Sequence, residues 1–395
     1  MSRPDPARLR AVVDSLAAAP FQGRRVGTDG GRAAADHLVH VLRRAGATVN
    51  FQDFTVSAAV RELYGVPTMS WTCRGADRIL DFRRDFCEHL ASADLPHPVS
   101  GRVSATAEPG AWVLHDSFSH EAVTAAANTG AVGVLVPRGT DTAGWMPKMI
   151  TGPTPAALPV LAVRTDIHER LRTGDSTISA AVPVRSVDAD GRNVIATFRE
   201  HLGEGPAFLL TAHFDGVGDD PDGTRFPAAC DNASGVAAVI EAARILHHRL
   251  PDGVGLAVAL LDAEEAGAHG SAAHAQTLAH GIHVLNLDGA AELNEAHVEA
   301  GGSAEPLLAA LDRAGRRLGV PLRARSMPSD NRRYAAAGHA AVGIGMGMPG
   351  YQTPLEIPDR VGTATLAAAA ELLIGTVEEL VADTVASRGG SHPRM

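Results

Sequence analysis

Ala207-Phe-Leu-Leu-Thr-Ala-His213-Phe-Asp215 is an apolar run of strand length that ends on a histidine and a carboxylate. The pattern returns twice downstream. Gly255-Leu-Ala-Val-Ala-Leu-Leu261 runs into Asp262 and the pair Glu264-Glu265, and Val284-Leu-Asn-Leu-Asp288 closes on another acid. Short aliphatic runs bounded by turn residues read as buried strands. Between the first two, Ser234–His248 carries an Ala/Val/Ile face at helical spacing. Strands alternating with helices imply an α/β fold: a mixed, mostly parallel central sheet with helices on both faces.

Outward from this core, Asn193–Phe198 and Ala341–Met346 read as further strands, and residues 266–279, 306–318 and 361–384 as helices. Toward the N-terminus, helices at 7–19 and 30–46 flank the loop Phe21-Gln-Gly-Arg-Arg-Val-Gly-Thr28, and Ala47–Val56 reads as a strand. Residues 61–185 differ in texture. Their apolar runs are short and broken by Pro and Gly, with strands at 111–114 and 131–136 and a helix at 120–128, as in a small α/β domain of its own. The expected division is therefore residues 1–60 and 186–386 as one domain and 61–185 as an insertion. The polar stretch 387–395 is expected to be a disordered tail.

The bulk composition agrees with two domains, since 395 residues exceed the roughly 100–200 of one. Hydrophobic residues make up 45% and aromatics only 4%, so aliphatic side chains and alanine must fill the cores. A net charge of −10 argues against nucleic acid or an anionic membrane as partner, because both require a positive surface. No apolar stretch approaches the ~20 residues of a membrane span. The three cysteines show neither zinc-finger nor redox spacing. The N-terminus is a poor signal peptide, and the expectation is a cytoplasmic protein.

Ligand sites in α/β sheets form beyond the carboxyl ends of strands. His213 and Asp215, Asp231 and Asn232, Glu264 and Glu265, and Asp288 all sit at such positions and are expected to converge. Imidazole and carboxylates are the ordinary nitrogen and oxygen ligands of zinc. One carboxylate can bridge two ions, and a vicinal Glu pair can divide ligation from proton transfer. Each residue also has a plainer explanation. His213 could be a core histidine, Asp231 a helix cap, Glu264 and Glu265 a solvated helix start, and Asp288 a turn residue.

Taken in order, His213-Phe-Asp215, Asp231-Asn-Ala-Ser-Gly235, Ala263-Glu-Glu-Ala-Gly267 and Asn286-Leu-Asp-Gly289 resemble the zinc aminopeptidases of metallopeptidase family twenty-eight. Three outlying pieces agree: the Gly23-Arg-Arg-Val-Gly-Thr28 loop, Ser329-Asp-Asn331, and Tyr351-Gln-Thr-Pro354 followed by Ile357-Pro-Asp-Arg-Val361. Residues 61–185 resemble, more weakly, the protease-associated domain inserted in that family. The resemblance implies two zinc sites. Asp231 would bridge them, His213 and Asp288 would complete one, and Glu265 would belong to the other. Glu264 would be the general base, moving a proton from metal-bound water to the leaving amine. Asp215 would orient the His213 ring. The implied substrate is a short peptide or amide with a free N-terminus. A homodimer is left open.

Two positions depart from the family pattern. Gln352 stands where the resemblance implies a histidine ligand, and Asn331 replaces the histidine of the Ser-Asp-His element. Glu265, Gln352 and a shared Asp231 are expected to hold zinc poorly, while the site of His213, Asp231 and Asp288 is complete. Asn331, Arg332 and Tyr351 are candidates for substrate binding. His247, His248 and His339 could replace the missing ligand, although helix-end and core roles suit them better. Gln352 motivates two alternatives: a one-zinc amide-forming transferase or cyclase, and a non-catalytic binding protein without metal.

Overall fold

The computed structural model describes residues 3–173, 175–201, 203 and 205–389. The chain forms two compact units. One comprises residues 1–56, 189–218 and 225–395, the other residues 57–188 and 219–224.

The first unit opens with α1 (Pro6–Leu16) and α2 (Asp29–Arg44), followed by β1 (Thr48–Leu63), which carries the chain into the second unit. There, β2 (Thr68–Cys73), β3 (Ala76–Ile79), β4 (Phe86–Glu88), β5 (Leu95–Ser104), β6 (Trp112–Leu114), β7 (Gly133–Arg138), β8 (Val160–Arg164) and β9 (Ser176–Val182) form one sheet. Its strand order is β3-β2-β9-β5-β6-β7-β8-β4. β5 to β8 run parallel, as the apolar runs at 111–114 and 131–136 suggest, and the flanking pairs are antiparallel. Helices α3 (His120–Asn128) and α4 (Thr165–Arg172) pack on it. The chain's one lysine, Lys148, is buried here against Asp220 at 3.0 Å. Arg83 binds the same Asp220 at 2.8 Å and Glu88 at 2.9 Å. This knot explains why residues 219–224 belong to the second unit although the sequence places them between His213 and Asp231.

The chain re-enters the first unit through β10 (Val184–Arg199) and continues with β11 (Ala207–His213), α5 (Ser234–Arg249), β12 (Gly255–Leu261), α6 (His269–Ala275), β13 (Ile282–Leu287), β14 (Ala296–Gly301), α7 (Glu305–Leu318), β15 (Leu322–Ala324), α8 (Asn331–Ala336), β16 (Ala340–Gly345) and α9 (Thr363–Gly389). Its strand order is β1-β10-β12-β11-β13-β16-β14-β15. β12, β11, β13 and β16 are parallel. β10 joins one side and β14 the other antiparallel. The expected mixed, mostly parallel sheet is the observed one.

Period-two alternation divides the strand residues between two cores. Phe208, Leu210 and Ala212 of β11, Leu256, Val258 and Leu260 of β12, and Leu285 and Leu287 of β13 join the large cluster beneath α1, α2, α5, α7 and α9. Leu209, Ala259, Leu261 and Val284 point the other way, into a smaller cluster with Tyr334 of α8. Both faces are covered, which is why these strands read as continuous apolar runs.

Several boundaries differ from expectation. The helix expected at 266–279 is shorter, because Ala263 and Ala268 take left-handed φ of 60° and 57° and hold residues 264–268 in turns. α9 runs to Gly389, beyond the expected start of a tail at 387; residues 390–395 lie outside the described residues. β14, β15 and α8 were not expected. In β14 the alternation is carried by Ala296, Val298 and Ala300, too weakly apolar to mark a strand.

α1 docks on α5 through Glu241. This carboxylate, its side chain 4% exposed, accepts from the backbone N–H of Asp5 at 2.9 Å, from Arg8 Nη2 at 2.8 Å and from Arg244 Nη2 at 2.9 Å. Burial alone would raise its pKa, but these donors outweigh burial and draw it down to about 2. A depressed folded-state pKa stabilises above the ordinary value of 4.5, and the stabilisation is lost as pH falls from there toward 2. Glu241→Gln is therefore expected to cost about 1.5–3 kcal/mol at pH 7, the size of charge-assisted hydrogen bonds. The gap should close as pH drops below 4.5. Urea unfolding of both proteins across this range measures it.

Candidate metal centre

His213 is the last residue of β11, and Asp288 follows the last residue of the neighbouring parallel strand β13. Asp231 lies in the irregular turn before α5. The three side chains meet. His213 Nε2 is 2.9 Å from Asp231 Oδ1 and 3.2 Å from Asp288 Oδ1. They are the one group of three His, Cys, Asp or Glu ligand atoms among the described residues that lie within 4.8 Å of one another. All three are buried, at 1%, 4% and 8% exposure.

Two of the plainer roles do not apply. Asp231 does not cap α5, whose N-cap is Ala233 without a side-chain bond. Glu264 and Glu265 do not open a helix, since α6 starts at His269. The Asp231-Asn-Ala-Ser-Gly235 motif instead fastens two ligand loops together. Asn232 Nδ2 donates to Leu287 O at 2.9 Å, and its Oδ1 accepts from Gly235 N at 2.9 Å and Gly289 N at 3.0 Å. It thus grips the chain on both sides of Asp288. Ser234 Oγ donates to Cys230 O at 2.6 Å and accepts from Ala290 N at 2.7 Å. Gly235 is required for space: a Cβ there would stand 2.2 Å from Asn232 Oδ1 and 2.7 Å from Leu287 O.

Asp215 seats the glutamate pair. Its carboxylate oxygens accept the backbone N–H groups of Glu264 at 3.0 Å and Glu265 at 3.2 Å, and Oδ1 stands 3.4 Å from His213 Nδ1. Glu265 is buried, while Glu264 is only partly so. Two residues for which the sequence suggested no role complete the frame. Arg24, fully buried in the quoted N-terminal loop, donates to Phe214 O at 2.6 Å, Leu16 O at 2.7 Å, Pro227 O at 2.9 Å and Ala228 O at 2.7 Å. It binds the peptide between His213 and Asp215 and the turn leading to Asp231. Glu356 accepts from the backbone N–H of Asp231 and, at 2.8 Å, from that of Gln352. An arginine in a Gly-rich loop and an acid four residues after Gln352 were the available signals, but nothing in their spacing marks them as buried.

The remaining candidates separate. Gln352 reaches the centre, and its Nε2 donates to Glu265 Oε2 at 2.5 Å. Tyr351 is 44% exposed; burial and then the charges of Glu265, Asp231, Asp288 and Glu264 push its pKa up. Asn331 is buried at the start of α8 against Gly343. Arg332 is turned to Glu299, with two contacts of 3.1 Å, and to Ser326, so its fork is already engaged. His339 is tied to Ala275 O, and His247 and His248 close α5.

Electrostatics favours a cation. Asp215, Asp231, Glu264, Glu265, Asp288, Asp330 and Glu356 crowd one buried region, faced by Arg24 and His213. Burial lowers the Arg24 pKa only to about 10, so the guanidinium stays charged. Burial opposes charge on His213, but the carboxylates of Asp288, Asp215 and Asp231 outweigh it and raise its pKa. Burial first, and mutual repulsion second, raise Glu264 and Glu265 well above the carboxylate range, and Asp330 to about 7. Such a surplus of buried negative charge is stable only when protons or a metal compensate it. Geometry tests the fit to zinc. Ligand atoms on a tetrahedron with bonds of about 2.0–2.2 Å stand roughly 3.3–3.6 Å apart. The 2.9 and 3.2 Å separations around His213 need little opening. Asp231 Oδ1, despite its closeness to His213, makes no aligned hydrogen bond, as for two atoms aimed at a shared centre.

Asn232→Ala is expected to release the Asp288 loop and weaken zinc binding about 10–100-fold, as for other residues that orient ligands. Zinc titration against a competing chelator measures the change.

Residues 193–377 match the model of Peptidase family M28. A relative named "Probable lipoprotein aminopeptidase LpqL", from Mycobacterium tuberculosis, is 29% identical over 277 residues, which are 65% of this chain and 51% of that protein. The chain thus spans about half the length of this relative. Among solved structures, a zinc aminopeptidase from Bacillus subtilis superposes with a TM-score of 0.72 at 18% identity, covering 96% of this chain and 95% of that one. An aminopeptidase from Aneurinibacillus superposes at 0.70 with 19% identity, covering 95% and 93%. At these identities the likeness concerns the fold, including the mixed sheet that carries the centre. The motifs gathered at the strand ends lie in the stretch 193–377, a little under half of the chain, that is similar to peptidase family M28.

Proposed function

We propose that the protein is a zinc-dependent hydrolase of the aminopeptidase type, cleaving a peptide or amide bond in a short substrate. The convergence of His213, Asp231 and Asp288 beside a partly exposed Glu264 carries this reading. His213, Asp231 and Asp288 hold the ion, and Asp215 orients the His213 ring from 3.4 Å. Bound zinc supplies Lewis-acid polarisation of the scissile carbonyl and acidifies water.

Glu264 takes one proton from the attacking water as its oxygen bonds to the carbonyl carbon. It returns that proton to the amine as the carbon–nitrogen bond breaks, so it ends the cycle as it began. Its burial raises its basicity toward the range that suits this exchange. Tyr351, whose pKa burial and these carboxylates raise, is proposed to contact substrate. The surplus of carboxylates favours a substrate that brings its own positive charge, as a free α-amino group does. The Glu299-bound fork of Arg332 gives no support to a role in binding a substrate carboxylate.

The unit of residues 57–188 and 219–224 is proposed as a protease-associated-like domain, on the weak sequence resemblance and on its separate core. A reducing, cytoplasmic setting is proposed from Cys73, Cys87 and Cys230, which are all free thiols, two of them buried. No helix among the described residues is long and apolar enough to cross a membrane. The one-zinc amide-forming alternative rests on Gln352 and is no better supported than hydrolysis.

The test is hydrolysis of aminoacyl-anilides by purified protein, before and after chelation. Activity lost to a chelator and restored by zinc is expected. Cleavage indifferent to chelation would sink the proposal.

A further inference from the structure

We infer that this chain holds one zinc, not two, because the carboxamide of Gln352 fills the second metal seat by bonding directly to Glu265. The inference rests on the zinc centre proposed above and concerns only its neighbour. Gln352 Nε2 lies 2.5 Å from Glu265 Oε2. That separation is a short hydrogen bond, and an ion would have to part the two atoms by about 0.8 Å or more, since ligands sharing one zinc stand roughly 3.3–3.6 Å apart. An amide nitrogen carries two hydrogens and no available lone pair, so the atom facing Glu265 donates and cannot ligate.

The rest of Gln352 is fixed. Its φ of 51° places it in the left-handed region, and its backbone N–H is held by Glu356 Oε2 at 2.8 Å. The other oxygen of Glu356 accepts from Asp231 N, so one carboxylate sets the distance between Gln352 and the ligand loop. The side chain is 3% exposed. Reversing the amide would set its oxygen against Glu265, a contact that holds only with a proton on the carboxyl, so a hydrogen bond still joins the pair. The remaining atom, Oε1, is buried without a partner and would be the only means of holding a second ion. A single neutral carbonyl would then replace an imidazole, and the Glu265 bond would have to break. Glu265 therefore acts here as a positioning residue, neutralised in part by an amide where a divalent ion would otherwise stand. The ligand group His213, Asp231 and Asp288 does not include it.

The test counts zinc per folded chain, by elemental analysis and native mass spectrometry after equilibration with zinc, in the wild type and in Gln352→His, Glu265→Gln and His213→Ala. The expected counts are one, two, one and none. Two zincs in the wild type would overturn the inference while leaving the proposed hydrolase intact. Loss of the ion in Glu265→Gln would overturn it too, by making Glu265 a ligand. One zinc in a folded Gln352→His variant would show that the amide is not what excludes the second ion. Zinc retained in His213→Ala, or none in the wild type, would instead remove the centre on which both readings stand. Should Gln352→His not fold, the wild-type and Glu265→Gln counts still decide the matter.

Discussion

Glu264→Gln will lower kcat by about 10²–10⁴-fold, the usual worth of a positioned general acid–base, with zinc content unchanged. Glutamine keeps the shape of the side chain and its backbone N–H bond to Asp215, which holds the loop at 3.0 Å whatever the side chain. It cannot accept the proton of the attacking water. Among the described residues, no hydrogen bond joins the Glu264 carboxylate to His213, Asp231 or Asp288, so these three should keep their geometry. KM should move little, because the lost interaction belongs to the transition state. Steady-state kinetics paired with metal analysis separates this from a ligand role. A variant that also loses its zinc would make Glu264 a ligand, and one that keeps full kcat would end its assignment as base.

Arg24→Met will destabilise the unit that holds the metal centre by at least about 3 kcal/mol, because three carbonyl groups are left without a donor and an unsatisfied group costs roughly 1–3 kcal/mol. Methionine fills part of the volume and supplies no donor. The orphaned groups are those of Leu16, Phe214 and Pro227, while Ala228 O keeps the backbone N–H of Ala233 at 3.3 Å. Two of them flank the ligand-bearing segments, so the metal centre should loosen before the sheet does. The variant also removes a positive charge facing Glu356, Asp215, Asp231 and Glu265. Arg24→Lys should recover only part of the loss, since one ammonium cannot reach the carbonyls that a planar fork spans. Urea unfolding measures the effect. A midpoint unchanged in Arg24→Met would show that the carbonyls find other donors and that the arginine is not what frames the site.

The sheet was legible because its central strands are buried on both faces and so appear as unbroken aliphatic runs ending in polar residues. Ala207–His213 and Gly255–Leu261 needed no tertiary information to be recognised. β14 and β15 lie toward the sheet's edge with mixed side chains and carry no such signal. In the centre, the meeting of His213 and Asp288 could be anticipated because the ends of parallel strands point the same way, and that of Asp231 because its turn opens the helix that follows β11. Arg24 and Glu356 could not be, since their importance lies in backbone groups 190 to 204 residues from Arg24 and 125 residues from Glu356. Residues 219–224 were misassigned for a similar reason: only the partners of Asp220, Arg83 and Lys148, reveal where they fold. Gln352 is the position where the motif failed, and the structure gives the failure a physical form in the amide–carboxylate bond to Glu265.

Anomalous diffraction at the zinc edge, from crystals grown with zinc, tests the central claim most directly. The prediction is a single peak about 2.0–2.2 Å from His213 Nε2 and from oxygens of Asp231 and Asp288, with Gln352 still bonded to Glu265. A peak seated instead at Glu265 and Gln352, or no ordered zinc at His213, would contradict it.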